Sequence, residues 1–422
     1  MDINNTIEKQ NSIPGLTSGI MLVIATVVGG GMFSLPVAMA GVWFPGASVI
    51  LLAVAIMMLL TGLMLVEVNL HYNAGTSFNT FTQDLLGQKW NILVGISFGF
   101  VLYILTYAYI SGTSAVVSQT VFKYSGFRLP ASISVIIVSI LAGSIAWYSS
   151  LLVGRIITVL IIGKFIAFFA TFSGLAVHIE VAKLTDSLPF ALPDTQYYPY
   201  ILMTLPFCII SFGFHGNVPS LVKLYGTGGI QYITRSIIIG TIFSVLLYVF
   251  WLAVTMGNIS RAEFPPIIAK GGNIDVFVEA LRNVFTNRYL DLILTFFGNF
   301  AVASSLLAAT LGLFDYIADL LHFPDNRVGR LKTALVTYFP PAIICFFFPD
   351  GFVHAIGYAG LAFTLWSVIL PPFLVKTARQ RFATAVYTAP CSNGVLNLVI
   401  VCGIIVYLTV ILDIFGLLPT FR

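Results

Sequence analysis

The sequence predicts an all-α protein that crosses a membrane many times, and three observations carry that reading. Of 422 residues, 58% are hydrophobic and 9% charged, with a mean hydropathy of +0.98. Soluble domains carry roughly a quarter of their residues as Asp, Glu, Lys or Arg, so this chain lacks the polar groups to cover a globular surface. Its apolar residues also fall in runs near the ~20 residues that a bilayer-crossing helix needs. Finally, two of those runs are interrupted at mid-length by glycine clusters.

Eleven runs qualify. Spans 1 to 11 are Leu16–Gly41, Ala47–Leu70, Asn91–Phe122, Leu129–Val153, Ile156–Val177, Tyr200–Val222, Ile237–Met256, Leu292–Phe314, Thr333–Pro349, Val353–Val375 and Val395–Leu412. Span 9 is short and bounded by prolines. Segment 1–14 is polar and no small-residue cleavage site follows a short apolar core, so span 1 is expected to be a retained helix rather than a signal peptide. The expected organisation is a tail at 1–14, a first five-helix repeat at 15–178 and a second at 199–376. The second includes the long connection 257–291, and an eleventh helix with the C-terminus follows at 393–422. With the N-terminus cytoplasmic, inside connections hold eleven Lys and Arg residues and outside connections eight. Positive charge favours the inside, which predicts N-in and C-out.

The net charge of +4 arises from 20 basic and 16 acidic residues without a dense basic run, so no nucleic-acid partner is expected. Cys208, Cys345, Cys391 and Cys402 show no CxxC spacing, and the five histidines never pair at ligand spacing. Neither a metal nor a cofactor is expected.

The two interruptions carry the chemistry. Span 1 reads Thr26-Val-Val-Gly-Gly-Gly-Met-Phe-Ser-Leu-Pro36, and span 6 reads Ser211-Phe-Gly-Phe-His-Gly-Asn-Val-Pro219. Each glycine costs a helix interior up to about 1 kcal/mol relative to alanine. Glycine also serves close helix packing in membranes, but two dense clusters opening two five-span halves fit a pair of broken helices at a transport site. Unwinding frees amides and carbonyls that hydrocarbon cannot satisfy. The half-helix starting near Met32 presents amides and a positive dipole end suited to a carboxylate. Carbonyls around Ala25–Val28 and Cys208–Ser211 suit an ammonium or a cation, and a zwitterionic amino acid needs both. The candidate substrate-binding residues are therefore Val28, Gly29, Gly30, Gly31, Met32 and Phe33 in span 1, with Ser211, Phe212, Gly213, Phe214, His215 and Asn217 in span 6.

Five charged or titratable positions lie within the spans or at their ends. Lys164 is nine residues into span 5, roughly 12 Å along the helix at 1.5 Å per residue. It either snorkels to the interface or faces the bundle as a group that takes up and releases a proton. Glu67, near the cytoplasmic end of span 2, is either a structural carboxylate or a proton carrier. His215 falls inside the second break, where an imidazole can carry a proton or be satisfied by local backbone. Asp315 and Asp319 flank the inner end of span 8 and are expected to cap it or to pair with Arg327 or Arg330. Aromatic residues mark spans 3 and 10: Tyr103, Tyr107 and Tyr109 in one, Tyr358, Phe363 and Trp366 in the other. Tyr103 and Tyr107 share a face at i, i+4 spacing, which favours them as lining for an aromatic ring.

Several strings carry a family resemblance: Gly30-Gly-Met-Phe-Ser-Leu-Pro36, Phe100-Val-Leu-Tyr-Ile-Leu-Thr-Tyr-Ala-Tyr-Ile110, Met203-Thr-Leu-Pro-Phe-Cys208 and the second-break motif through Ser220. Lys270-Gly-Gly-Asn-Ile-Asp275, Asn299-Phe-Ala-Val-Ala-Ser-Ser305, Leu311-Gly-Leu-Phe-Asp-Tyr316 and Ala355-Ile-Gly-Tyr-Ala-Gly-Leu361 complete the set. From about Gly15 to Arg381 the chain resembles the bacterial aromatic amino acid permeases, with the tryptophan-specific branch nearest and the tyrosine-specific branch next. The resemblance implies eleven helices in the inverted-repeat amino-acid-transporter (LeuT-like) fold, proton-driven symport across the bacterial inner membrane, and substrate held at broken helices 1 and 6. It implies that Lys164 resembles a helix-five lysine occupying a cation site, with Ser304 and Ser305 as its helix-eight neighbours. The expected proton-coupling residues are thus Lys164, Ser304, Ser305 and Glu67. The expected partners are an aromatic amino acid, tryptophan first with tyrosine as the alternative, the proton and membrane lipids. A membrane-embedded enzyme would need a nucleophile–base pair or an HExxH-type metal motif, and neither stands in the sequence. A channel would need charged or carbonyl rings. Sodium coupling remains the alternative within transporters.

Overall fold

The computed structural model describes residues 14–74, 76, 78–187, 196–272, 274–283 and 288–421. Residues 1–13 of the expected tail at 1–14, and parts of the connections at 188–195 and 284–287, lie outside the described residues. Among those described, every regular element is helical. Nine helices are long and apolar enough to cross a membrane: Trp43–Asn69, Gln88–Ser125, Ala131–Tyr148, Ser150–Ala176, Tyr198–Tyr225, Thr227–Met256, Leu292–Leu320, Phe352–Arg381 and Asn393–Asp413. A bent pair, Leu16–Val27 with Gly31–Ala38 at 51°, passes the same test together and, counted as one span, brings the number to ten.

Span 9 corresponds to Arg327–Phe347, a 21-residue helix that stands apart from those ten. Its first turns carry Arg327, Arg330 and Lys332, so it begins as an amphipathic helix. Leu331, Leu335, Phe339, Ile343 and Phe346 along it are exposed, and their spacing of three to four residues puts them on one face. The eleven-span expectation rests on this helix. Among the described residues, four short helices went unanticipated: Phe78–Leu86 between spans 2 and 3, Val181–Leu184 between spans 5 and 6, and Phe264–Ala269 and Ile274–Asn283 in the connection before span 8.

Local signals set several boundaries. Ser149, Asn326 and Ser392 each accept a backbone N–H from the first turn of the helix that follows, which satisfies an otherwise orphaned donor. Gly126 ends span 3 at φ +70°, a left-handed conformation that suits glycine.

Span 5 packs on span 8 and span 10 on span 3. The first half of span 1 packs on span 7, and span 6 on span 2; spans 2 and 7, 3 and 8, and 4 and 9 also touch. Large apolar side chains such as Ile96, Ile140, Leu151, Val159, Ile166 and Leu246 are exposed on the outside of this bundle. In water so much exposed apolar surface would drive aggregation; in hydrocarbon it is the favoured exterior.

Each end of the bundle holds an ion pair with a buried carboxylate. At the end that carries the start of span 1, Glu67 is fully buried. It accepts from Arg379 at 2.7 Å (Nε) and 2.8 Å (Nη2) and from the Ala389 amide at 2.7 Å. This bidentate pairing joins spans 2 and 10 to the chain entering span 11. The expectation of Glu67 as a proton carrier meets a carboxylate already held by three donors. At the opposite end, Arg261 pairs with Asp186 at 3.3 Å and donates to the carbonyls of Ala40, Gly41 and Gln196. The pairing expected for Asp315 or Asp319 is replaced: Arg330 pairs with Asp325 at 2.9 Å and donates to the Trp147 carbonyl at 2.8 Å. Asn326 caps span 9, so the Pro324–Asn326 turn brings Asp325 to Arg330 before the helix begins. Asp315 and Asp319 line the adjacent cavity with Arg330.

Candidate functional site

The first break lies where glycine cost and neighbour packing coincide. The helix Leu16–Val27 stops, Gly29 is extended, and a 3-10 turn at Gly30–Phe33 leads into the helix Ser34–Ala38. The carbonyls released there are taken by side chains of other spans. Lys164, 2% exposed, points its Nζ 2.6 Å from the Val28 carbonyl. The Tyr248 hydroxyl stands 2.7 Å from the Val27 carbonyl, and Trp251 Nε1 donates to the Met32 carbonyl at 2.9 Å. Span 8 closes the other side: a Cβ on Gly29 would stand 3.3 Å from Ser305 Oγ. Ser304 Oγ turns back to the Ala301 carbonyl at 3.0 Å. Lys164, Val28, Gly29 and Ser305 thus come together, whereas Glu67 is engaged at the end of the bundle.

At the second break the helix Ile201–Ser211 stops, and a 3-10 turn at His215–Asn217 starts the helix Val218–Tyr225. Ser211 Oγ bonds back to the Phe207 carbonyl at 2.7 Å, while the Ser211 carbonyl lies 3.0 Å from the Tyr248 hydroxyl. Phe212 packs edge-on against Tyr248. Gly213 is required by close approach: an added Cβ would meet the Ile210 carbonyl at 2.9 Å and the Phe363 ring at 3.2 Å. Phe214 stacks on His215, which is fully buried with Nε2 2.8 Å from Thr61 Oγ1 of span 2. Asn217 Nδ2 donates to Thr26 Oγ1, tying the second half of span 6 to the first half of span 1.

The two breaks face each other. A Cβ on Gly31 would stand 4.0 Å from both Ser211 Oγ and the Tyr109 hydroxyl. Tyr109 is therefore the span-3 tyrosine at the breaks. Tyr103 and Tyr107, expected there, donate instead to carbonyls flanking and within span 9, Val336 at 3.0 Å and Phe348 at 2.8 Å. The reason is helix azimuth: Tyr109 is two residues from Tyr107, about 200° around the helix, so the i, i+4 pair selects the wrong face. In span 10, Phe363 reaches Gly213, and Trp366 would lie 3.8 Å from a Cβ on Gly216. Tyr358 is exposed in the outer groove with Tyr103 and Tyr107.

Tyr248 and Trp251 were missed as site residues, although span 7 carried a usable signal. Ser244, Tyr248, Trp251 and Thr255 recur at four-, three- and four-residue steps, the spacing of one helix face, and all four are buried. Beyond the first break, on the side of Ser34–Ala38, Phe33, Phe168, Phe172, Trp251, Phe277 and Phe297 interlock with ring centroids 4.6–6.5 Å apart. This apolar plug seals that side, whereas Thr26 and Gly216 on the other are exposed.

A model of the tryptophan/tyrosine permease family matches residues 12–410. The chain is 79% identical to the tyrosine permease of Enterobacter agglomerans over 412 residues, 98% of this chain and 99% of that protein. It is 46% identical to the tryptophan-specific transport protein of Shigella flexneri, over 99% of this chain and all of that one. It is 43% identical to the low affinity tryptophan permease of Escherichia coli strain K12, over 96% of this chain and 97% of that one.

Proposed function

Since the chain belongs to the tryptophan/tyrosine permease family, we propose that it takes up an aromatic amino acid in symport with protons, by alternating access around the two breaks. It is a multi-pass transport protein rather than an enzyme, as its relatives are. The observation that carries the coupling is Lys164 Nζ, buried at 2.6 Å from the Val28 carbonyl at the end of a half-helix. A charged ammonium there holds the break; a neutral amine holds it less strongly. Protonation and substrate occupancy at adjacent residues become linked by a coupling free energy.

The carboxylate is assigned to the amides from Gly29 to Phe33, the ammonium to the carbonyl end at Ser211, and the ring to the space by Gly213, Gly216, Phe363 and Trp366. Tyrosine is placed ahead of tryptophan, reversing the order of the branch resemblance. The tyrosine permease of Enterobacter agglomerans is far more similar than the two relatives above that are named for tryptophan. In addition, Trp366 Nε1 is buried without a hydrogen-bond partner among the described residues. It can only donate, so it suits the phenol oxygen of tyrosine; the indole N–H of tryptophan is itself only a donor.

The inverted five-helix repeat is supported by the packing pairs. Exchanging spans 1 to 5 with 6 to 10 turns the 5–8 contact into 10–3 and the 1–7 contact into 6–2, and it returns 2–7, 3–8 and 4–9 to themselves. The Lys and Arg bias supports a cytoplasmic N-terminus in the bacterial inner membrane, and the aromatic plug then closes the outer side.

The test is uptake of radiolabelled tyrosine and tryptophan into proteoliposomes under an inward proton gradient without sodium. Accumulation that an uncoupler collapses, and that Lys164→Gln abolishes while retaining tyrosine exchange, is the expected result. Undiminished gradient-driven accumulation by Lys164→Gln would sink the coupling assignment. Transport of neither amino acid would sink the substrate assignment.

A further inference from the structure

Tyr248 is fully buried in span 7 and touches the last carbonyl of each interrupted helix: Val27 at 2.7 Å and Ser211 at 3.0 Å. A phenol hydroxyl carries one proton and so donates to one acceptor at a time. The two carbonyls are unequal. Val27 also receives the Gly29 amide at 2.9 Å, whereas no backbone amide outside the regular helices donates to the Ser211 carbonyl among the described residues. When the phenol proton rests on Val27, the nearer of the two, the Ser211 carbonyl is left without a donor. That oxygen lies at the negative end of a half-helix and its residue borders the Gly31 backbone, where the amides of the opposite half-helix begin.

We propose that Tyr248 is a positioning residue for the ammonium group of the transported amino acid. Its hydroxyl pins both half-helix ends at one point and leaves the Ser211 carbonyl to an N–H of the substrate. In the empty carrier the single proton alternates between the two oxygens. In the loaded carrier the ammonium holds Ser211 and the phenol stays on Val27, one residue from the carbonyl that Lys164 holds. Substrate binding is thereby felt at the residue next to the Lys164 contact. This inference rests on the amino acid carrier reading above.

The experiment compares Tyr248→Phe with the unmodified carrier in proteoliposomes. It measures the KM and maximal rate for tyrosine, and the inhibition constant of 3-(4-hydroxyphenyl)propionate, which keeps ring and carboxylate but has no amine. Loss of the hydroxyl is expected to raise the tyrosine KM about tenfold, equivalent to about 1.4 kcal/mol, with the maximal rate per folded carrier within about twofold. The analogue's inhibition is expected to stay unchanged, including where it is absent from the start. Tyr248→His keeps a ring N–H donor and is expected to recover part of the KM, which also serves if Tyr248→Phe fails to fold. An unchanged KM in Tyr248→Phe, no recovery in Tyr248→His, or a parallel loss for tyrosine and the analogue in either variant, would overturn the assignment while leaving the carrier reading intact. Failure of the unmodified protein to transport tyrosine and tryptophan would instead remove that reading.

Discussion

At the first break the freed carbonyls are held from a distance: Lys164 of span 5 serves Val28, while Tyr248 and Trp251 of span 7 serve Val27 and Met32. At the second break the chain closes largely on itself. The Phe214 amide turns back to the Phe212 carbonyl at 3.0 Å, the Gly213 amide to Ile210 at 3.1 Å, and Asn217 to Phe214 at 2.9 Å. Among the described residues, the long-range donor to its terminal carbonyl is the hydroxyl it shares with the first break. One break is therefore a junction whose geometry depends on spans 5, 7 and 8. The other is a compact turn positioned by the His215–Thr61 hydrogen bond to span 2 and by ring contacts with spans 7 and 10. A charge change at the first is expected to alter coupling, and a volume change at the second to alter substrate fit.

The sharpest separation of the two compares Lys164→Ala with His215→Ala. Lys164→Ala is expected to bring the inside-to-outside substrate ratio to about one under a proton gradient, because the ammonium at the junction is gone. His215→Ala, at the compact turn, is expected to lower thermal stability through a cavity costing about 2–4 kcal/mol and still accumulate substrate. Gradient-driven accumulation lost in His215→Ala but kept in Lys164→Ala would invert the assignment.

Glycine substitutions probe volume next. Gly213→Ala forces a methyl to within 3 Å of a backbone oxygen and against Phe363. It is expected to raise KM about tenfold, near 1.4 kcal/mol. Gly29→Ala meets a serine hydroxyl at 3.3 Å that can rotate away, and about a twofold change is expected, under half a kcal/mol. Equal KM effects would erase the difference between junction and turn.

A smaller, selective effect is expected at the ring end. Trp366→Phe removes the unpartnered N–H, so the tyrosine KM is expected to rise about threefold to tenfold while that for tryptophan holds. Competition between the two labelled amino acids reads this directly. The smallest effect is expected away from both breaks. Tyr107→Phe loses one hydrogen bond to Phe348, worth about 1 kcal/mol of stability, with KM unchanged. Tyr109→Phe, beside Gly31, is expected to change KM.

Much of this arrangement was legible in the sequence. Run length and apolarity reveal ten spans, and the glycine clusters reveal both breaks, because a helix interior loses free energy at each glycine wherever the segment later packs. A lysine within span 5 stands out for a similar reason: charge in hydrocarbon demands a partner. The failures share a cause. Tyr103 and Tyr107 satisfied a spacing rule that finds a helix face but not the neighbour it meets. Glu67 and Arg379 are 312 residues apart, too far for any local pattern to pair them. The Tyr248 and Trp251 stripe was visible as a face, yet buried aromatic stripes in membrane helices are ordinary packing until their polar tips find a partner.

Composition and periodicity thus suffice for a helical membrane chain with two interrupted spans, since hydrophobic transfer and backbone propensity act over a turn or two. The assignment of particular carbonyls to Lys164, Tyr248 and Trp251 joins residues 136 to 221 positions apart. It depends on the azimuth and tilt of each helix within the bundle, and those follow only from how all the helices pack at once.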